Sequence, residues 1–446
     1  MADTAQCRAR GRIAVILAVL VAAAHVAYAA WRATHASADL VGFHRAAVHW
    51  WHTGAFTNVF GAQFYTPAFV VLMTPVVVWP LPVAGSLMGA VNVLVFVHAV
   101  RTCSRLAARG DRLPAALAWG WPILLVFPFA SGTIALGQVN LIVLWLCLLA
   151  YSQASRGRQV RSGLLVALAG LLKLYPLILT LYWLLKGQWR VAASAWISFL
   201  LLAAGIGLAA FGVQGSLDAH RQWLGAIQGA KYRAVLPTQP AETPTGDTTT
   251  RRALTDHLIF TDQRTQWHRH NNQSLAAVIR RLTTDLGADK DGVPAVNVLC
   301  LPLAWARRLY LAAALAVLLL LSTTTWRRRC LPEDFAEWSA WLAGTIAFVP
   351  LWWTHYFVLL LPALTCLCVA VWRDRQHGQR GLVATGLQAA WLIGLLLLAW
   401  KPFCLVGGHC WLALAIMTWA LLGCGNACQS PPLPREDTGE SGNTDR

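Results

Sequence analysis

Five short stretches of this 446-residue chain carry residues whose types and spacing could do chemistry. Asp39 opens DLVGFHRAAVHWWHTG, in which Phe43, Ala46, Ala47 and Trp50 recur at helical spacing. A carboxylate there can simply cap the helix, at a gain of roughly 1 kcal/mol, or act as a general base toward an acceptor hydroxyl. Gly137-Gln138-Val139-Asn140 begins an apolar run, and its amides can pin sugar hydroxyls or cap that run's helix. Lys173 heads Lys173-Leu174-Tyr175-Pro176 at the end of another apolar run, where it can snorkel to an interface or pair with a phosphate. HRHNNQSLAAVIRR (268–281) sets Asn271, Asn272 and Gln273 ahead of a helix bearing Arg280 and Arg281. That helix is either Asn-capped and surface-bound, or rests on a membrane with its arginines on lipid phosphate. His355 and Tyr356 fall inside FVPLWWTHYFVLLLP. A lone His there can be a structural hydrogen bonder, or, with Lys and Arg, can hold a phosphodiester leaving group.

The elements that must position these residues are membrane helices. The chain is 57% hydrophobic and 12% charged, and its apolar runs recur at about 18 to 25 residues, the length that crosses a bilayer core. A soluble fold is excluded. The net charge of +17 is gathered into short basic runs between apolar segments, which are topology signals, and no basic stripe interleaved with stacking aromatics points to nucleic acid. Many of the 23 Trp residues lie near span ends, as interfacial anchors do. The eleven cysteines include no C-x-x-C pair, and a disulfide between Cys404 and Cys410 is left open.

Basic clusters at Arg101 to Arg112, Arg156 to Arg161, Lys186 to Arg190, Arg327 to Arg329 and Arg373 to Arg380 all belong in the cytoplasm by the positive-inside rule. Two apolar segments then cannot be simple spans. Residues 64–80, with Pro67, Pro75 and Pro80, must dip in and return or lie along the outer interface, and 161–186 must be two short helices hinged at Lys173. The expectation is an all-α polytopic protein with about twelve spans near 12–30, 82–102, 113–130, 138–155, 161–173, 175–186, 190–211, 305–325, 337–352, 354–372, 382–400 and 408–425. Residues 1–428 form one membrane domain with an uncleaved first helix; 31–81 is a first outer loop with an amphipathic helix on the outer leaflet. Residues 212–304 are a long extracytoplasmic loop, and 429–446 a disordered cytoplasmic tail. No P-loop, nucleophile elbow or H-E-x-x-H helix is present, and Asp289-Lys290-Asp291 sits in a Gly-rich outer loop, a poor place for a metal–sugar-nucleotide site.

An Asp before an F-x-x-A-A helix, then Tyr65-Thr66-Pro67, Gly137 to Asn140, Lys173 to Pro176, Asn272 to Leu275 and Trp353 to Tyr356, in this order, resembles glycosyltransferase family 87. That family lies in the C-type superfamily of membrane glycosyltransferases and includes the mycobacterial polyprenol-phosphate-mannose-dependent mannosyltransferases. The resemblance runs from about residue 35 to residue 365. It implies the C-type fold with juxtamembrane helices after the first span, and an inverting transfer of a sugar, mannose in the first instance, from a polyprenyl phosphate donor to a lipid or glycan acceptor hydroxyl. The setting it implies is the outer face of a bacterial plasma membrane, in cell-envelope synthesis. Asp39 matches the catalytic base. Lys173 and His355 fall on donor-phosphate positions. In the mechanism read from this, Arg280 joins them at the phosphate, and Gln138, Asn140, Asn272, Gln273, Tyr65 and Tyr356 bind substrate. The resemblance implies no metal or other cofactor. His44, His49 and His52 depart from the pattern, and Lys231 to Arg269 matches nothing in it. The competing class is a transporter or flippase of a lipid-linked sugar, which calls for repeated halves and a midplane charge pathway; neither is evident.

Overall fold

A computed structural model describes residues 2–35, 39–57, 65–227, 270–284, 296–331, 334–349, 352–377 and 381–427. Helices dominate, and among the described residues strand pairing is confined to an isolated bridge between Asn272 and Trp353. In chain order they are α1 (Ala2–His35), α2 (Asp39–Thr53), α3 (Pro67–Val77), α4 (Leu81–Ala108), α5 (Trp121–Leu136), α6 (Asn140–Ala154), α7 (Gln159–Leu172), α8 (Leu179–Leu185) and α9 (Trp189–Ile227). After these come α10 (Leu275–Thr283), α11 (Leu303–Arg327), α12 (Phe335–Gly344), α13 (Leu361–Gln376), α14 (Leu382–Leu396), α15 (Lys401–Leu405) and α16 (Gly408–Ala427). Among the described residues seven helices are long and apolar enough to cross a membrane: Ile13–His35, Leu81–Ala108, Ala116–Leu136, Trp189–Gly225, Leu303–Arg327, Thr354–Gln376 and Leu382–Ala399. Each of the other five expected spans has a helix at its place, but α6, α7, Tyr175–Leu185, α12 and α16 are too short or too mixed for that class.

Small residues let the first two long helices touch. A Cβ on Gly85 would lie 2.9 Å from the Ala30 backbone, and one on Gly89 would lie 3.1 Å from the Ala29 side chain. This is the close approach by which apolar helices associate where water gives no driving force between them. The span that begins at Thr354 is the most buried of the seven, so the segment carrying His355 enters the centre of the bundle.

Four of the five basic clusters meet at one end. Arg109 pairs with Asp334 at 2.6 Å, Arg373 with Asp111 at 2.7 Å, and the buried Lys186 with the buried Glu337 at 3.3 Å. Lys186 also donates to the Arg328 carbonyl at 3.0 Å. The sequence reading thus assigns to one side of the membrane groups that the fold joins directly.

Several expectations need correction. Within 212–304 the helix at 275–283 is as expected, but the first part is not irregular, because α9 runs on through a kink at Gly212 (φ +67°) to Ile227. Lys231 to Arg269, Asp289 to Asp291 and the tail from 429 lie outside the described residues. The interfacial role given to tryptophan fails for Trp183, Trp338, Trp341, Trp352 and Trp391, which are fully buried; within a bundle this wide, an indole fills volume as readily as it anchors an end. Cys404 and Cys410 are buried free thiols, not a bridge.

Candidate active site

Two helices of nearly equal length make the first half of the site. α6 has 15 residues and α7 has 14, joined by a tight turn, so the antiparallel pair brings the residue that starts α6 level with the one that follows α7. These are Asn140 and Lys173, and the Lys173 ammonium donates to Asn140 Oδ1 at 2.7 Å. The hinge expected at Lys173 is present: α7 stops at Leu172, Lys173 is extended (φ −154°, ψ 136°), and a 3-10 turn over Tyr175–Ile178 leads into α8. Pro176 enforces the break, since it has no N–H to give the Leu172 carbonyl four residues back and its ring would clash with that carbonyl if α7 continued.

The turn between α5 and α6 makes the second half. Gly137 ends α5 in the left-handed region (φ +65°), donating its N–H to Ile134 and Thr133. A Cβ there would come within 2.7 Å of Leu40 Cβ, so glycine is needed for both conformation and space. Past that turn the Gln138 amide N–H₂ donates to Asp39 Oδ2. The Tyr65 hydroxyl donates to Gln138 Oε1 at 3.1 Å, and Asn92 Nδ2 donates to the Gln138 carbonyl at 3.0 Å. The helix-cap alternative for these amides fails, because the N-cap position of α6 is Val139 with no side-chain cap. Their hydrogen bonds go to Asp39, Tyr65 and Lys173 instead.

Asp39 is half-buried at the first turn of α2, whose Leu40, Phe43, Ala46 and Ala47 are buried. The apolar stripe read from the sequence is thus the face that docks the helix, while His44, His49 and His52 lie off it; His44 meets the Val77 carbonyl at 2.5 Å. Tyr65 stacks on Phe69 with centroids 4.2 Å apart and meets Phe43 edge-on at 4.9 Å. Burial, reinforced by Tyr356 and then by the Asp39 carboxylate, pushes the Tyr65 phenol well above its ordinary range, so it stays a neutral donor.

Lys173 is the buried cation of the site. Its ammonium sits 3.8 Å from the Tyr356 ring centroid and 5.5 Å from that of Tyr65, close enough for cation–π attraction. At the hinge, outside either helix, burial pulls its ammonium down to about 7, and the Asp39 carboxylate opposes that pull. His355 is buried with its ring 4.8 Å from Tyr356, and its carbonyl accepts from the Thr133 hydroxyl at 3.0 Å. Two buried nitrogens of these residues, Asn140 Nδ2 on the ammonium's partner and His355 Nε2 beside Tyr356, have no hydrogen-bond partner among the described residues. A buried polar group left unpaired is costly, so these two nitrogens are available to a ligand atom.

Asn272 and Gln273 spend their hydrogen bonds on the chain. Asn272 Oδ1 accepts from the backbone N–H of Ser274 at 3.2 Å and of Trp352 at 3.1 Å. Gln273 donates from its backbone to the Trp352 carbonyl at 2.7 Å, and from Nε2 to the carbonyls of His270 and Cys404 at 2.5 and 2.6 Å. Ser274 caps α10 by accepting from Ala277 N–H. Arg281, expected on lipid phosphate, is buried and donates to the Asn272 carbonyl at 2.7 Å and the Leu405 carbonyl at 3.0 Å. This N-Q-S-L element is a clamp on the segment leading to His355. Arg280 is half-buried one position earlier, and its assignment to the donor phosphate rests on sequence order alone.

The family model for glycosyltransferase family 87 matches residues 64–306, more than half of the chain. The chain belongs to glycosyltransferase family 87. No curated protein and no solved structure matches it. This glycosyltransferase is therefore an integral membrane enzyme that moves a sugar between a donor and an acceptor. The matched stretch holds Tyr65, Gln138, Asn140, Lys173, Asn272, Gln273 and Arg280, whereas Asp39, His355 and Tyr356 fall outside it. Geometry brings those three to the glycosyltransferase's matched residues: Asp39 through Gln138, Tyr356 through Lys173, and His355 through Tyr356.

Asn92 and Thr133, which hold Gln138 and His355 in the glycosyltransferase site, were missed. Asn92 lies inside a long span, and an amide in an otherwise apolar run is a signal that could have found it. Thr133 lies four residues before Gly137 and carries no comparable signal.

Proposed function

We propose that this glycosyltransferase transfers mannose from a polyprenyl phosphate donor to an acceptor hydroxyl, with inversion, at the extracytoplasmic face. The observation that carries the proposal is a carboxylate and a buried cation held on either side of one turn: Asp39 by Gln138, and Lys173 by Asn140 two residues on. In the proposed reaction Asp39 takes the proton of the acceptor hydroxyl as its oxygen attacks C1 of the sugar. The C1–O bond breaks on the opposite face, and the electron pair leaves with the polyprenyl phosphate. Lys173 compensates the growing negative charge on that phosphate, with the unpaired His355 Nε2 and Asn140 Nδ2 beside it. A cation so placed supplies charge compensation that needs no metal.

Apolar surfaces around the hinge suit a polyprenyl chain. The basic clusters joined at the far end of α8 from Lys173 support a site on the outer side of the membrane. On this reading the chain is one membrane domain over 1–428 with about twelve crossings, five of them made by the short helices, in a bacterial plasma membrane.

The test is to incubate the purified protein with polyprenyl phosphate mannose and crude membrane lipid, and to follow acceptors that gain a hexose by mass spectrometry. Transfer is expected from wild type in the presence of a chelator and not from Asp39→Asn. A folded Asp39→Asn protein with wild-type transfer would end the proposal.

A further inference from the structure

Asp39 is a bare carboxylate only in sequence; in the fold it is the end of a directed hydrogen-bond chain. An ionised carboxylate only accepts, so Gln138 must turn its N–H₂ toward it. That leaves Gln138 Oε1 facing the other way, where only a donor satisfies it, and the Tyr65 hydroxyl is that donor at 3.1 Å. The chain is anchored at both ends. Tyr65 is wedged between Phe43 of the Asp39 helix and Phe69 of α3, and its neighbour Thr66 donates to the Leu171 carbonyl at 2.9 Å, two residues before Lys173. The Gln138 backbone is fixed by Asn92 and by the left-handed Gly137.

We propose that Tyr65 is a positioning residue that locks the Gln138 amide in the orientation that donates to Asp39, and so sets the pH range in which Asp39 can serve as base. The proposal rests on Asp39 being the base. Without the Tyr65 hydroxyl only the Asp39 charge itself holds the Gln138 amide in that orientation, and once Asp39 takes a proton the amide is free to turn over. A carbonyl oxygen would then face Asp39 and favour its protonated form. Tyr65 and Gln138 thereby act on the base, rather than on the sugar hydroxyls that such residues more commonly bind. The other ionisable groups whose fields meet at this corner are Lys173 at the hinge and Tyr356 at the start of the central span. Both remain in place in the variants below.

Tyr65→Phe keeps the ring and its packing and removes only the hydroxyl. The acid limb of its pH–rate profile, measured with saturating donor, is expected to move upward by about one pH unit, the size of one hydrogen bond to a charged group, with donor KM within about twofold of wild type. Gln138→Leu should move the same limb at least as far and reads it independently of Tyr65. Because Tyr65 acts through Gln138, adding Tyr65→Phe to Gln138→Leu should move the limb no further. An unmoved limb in Tyr65→Phe, a raised donor KM, or additive shifts in the double variant would overturn the proposal. Full activity of Asp39→Asn overturns the underlying assignment of the base; an inactive Asp39→Asn beside an unmoved limb overturns this inference alone.

Discussion

Two amide-bearing motifs of this enzyme use the same residue types for opposite ends. In Gly137-Gln138-Val139-Asn140 the amides reach side chains that can do chemistry, Asp39 and Lys173, and one N–H₂ group is left with an unpaired nitrogen. In Asn272-Gln273-Ser274-Leu275 an amide oxygen, Gln273 Oε1, is also left unpaired among the described residues, but the hydrogen bonds made go to backbone: Trp352 and Ser274 for Asn272, His270 and Cys404 for Gln273, and the helix N-terminus for Ser274. An amide held by other side chains stays exchangeable with a ligand, whereas one held by backbone is structure. What separates the motifs is the partner and not the residue.

The comparison can be broken most severely at Asp39. Asp39→Asn should lower kcat by at least about a thousandfold, at the upper range for loss of a positioned base, with thermal stability close to wild type. A stability loss comparable to the activity loss would place Asp39 with the clamp instead. Lys173→Gln should cost roughly a hundredfold in kcat/KM, carried by both donor KM and kcat, as removal of a charge that binds the phosphate and stabilises it on departure requires. Steady-state kinetics with varied donor checks this.

A third test sharpens the contrast from the other motif. Arg281→Met should cost on the order of 3 kcal/mol of stability by leaving buried carbonyls without donors, read as a lower Tm in detergent, while the protein that remains folded keeps its donor KM. A folded Arg281→Met protein with a tenfold higher donor KM would move the clamp into the site. The smallest effect is on pH. Burial holds Lys173 near 7 in the empty protein, and a phosphodiester binds its charged form, so donor affinity should be full below pH 7 and fall by up to about tenfold per unit above it. Lys173→Arg should flatten that dependence, as isothermal binding of donor across pH 6 to 9 would show.

Much of the fold was legible because bilayer thickness and the side preference of Arg and Lys leave few arrangements. The hinge at Lys173 followed from charge on both flanks together with Pro176, and it is there. The docking stripe of α2 followed from spacing alone. What was not legible depends on partners distant in sequence. Nothing in 272–281 says that Arg281 faces the carbonyls of Asn272 and Leu405 and not lipid, because an arginine's length lets it reach either. Nor could the region after Gly212 be read correctly: glycine signals an end, but here the helix kinks and continues to Ile227. Tryptophan misled for a similar reason, since its preference for interfaces is weaker than the demand of a wide core for volume.

Gly137 has the least chemistry of any residue at the site, yet its α-carbon lies against Leu40, the neighbour of Asp39. The helix that carries Asp39 therefore meets, at a single backbone position, the turn whose Gln138 and Asn140 hold Asp39 and Lys173, and on the proposed mechanism that contact sets where proton acceptor and leaving-group cation stand. On that mechanism an acceptor whose hydroxyl does not fit the span between them would be rejected before any pocket is consulted. A change of acceptor range would have to begin with the helix that carries Asp39, moved as a unit, because no side chain can be enlarged at the contact itself.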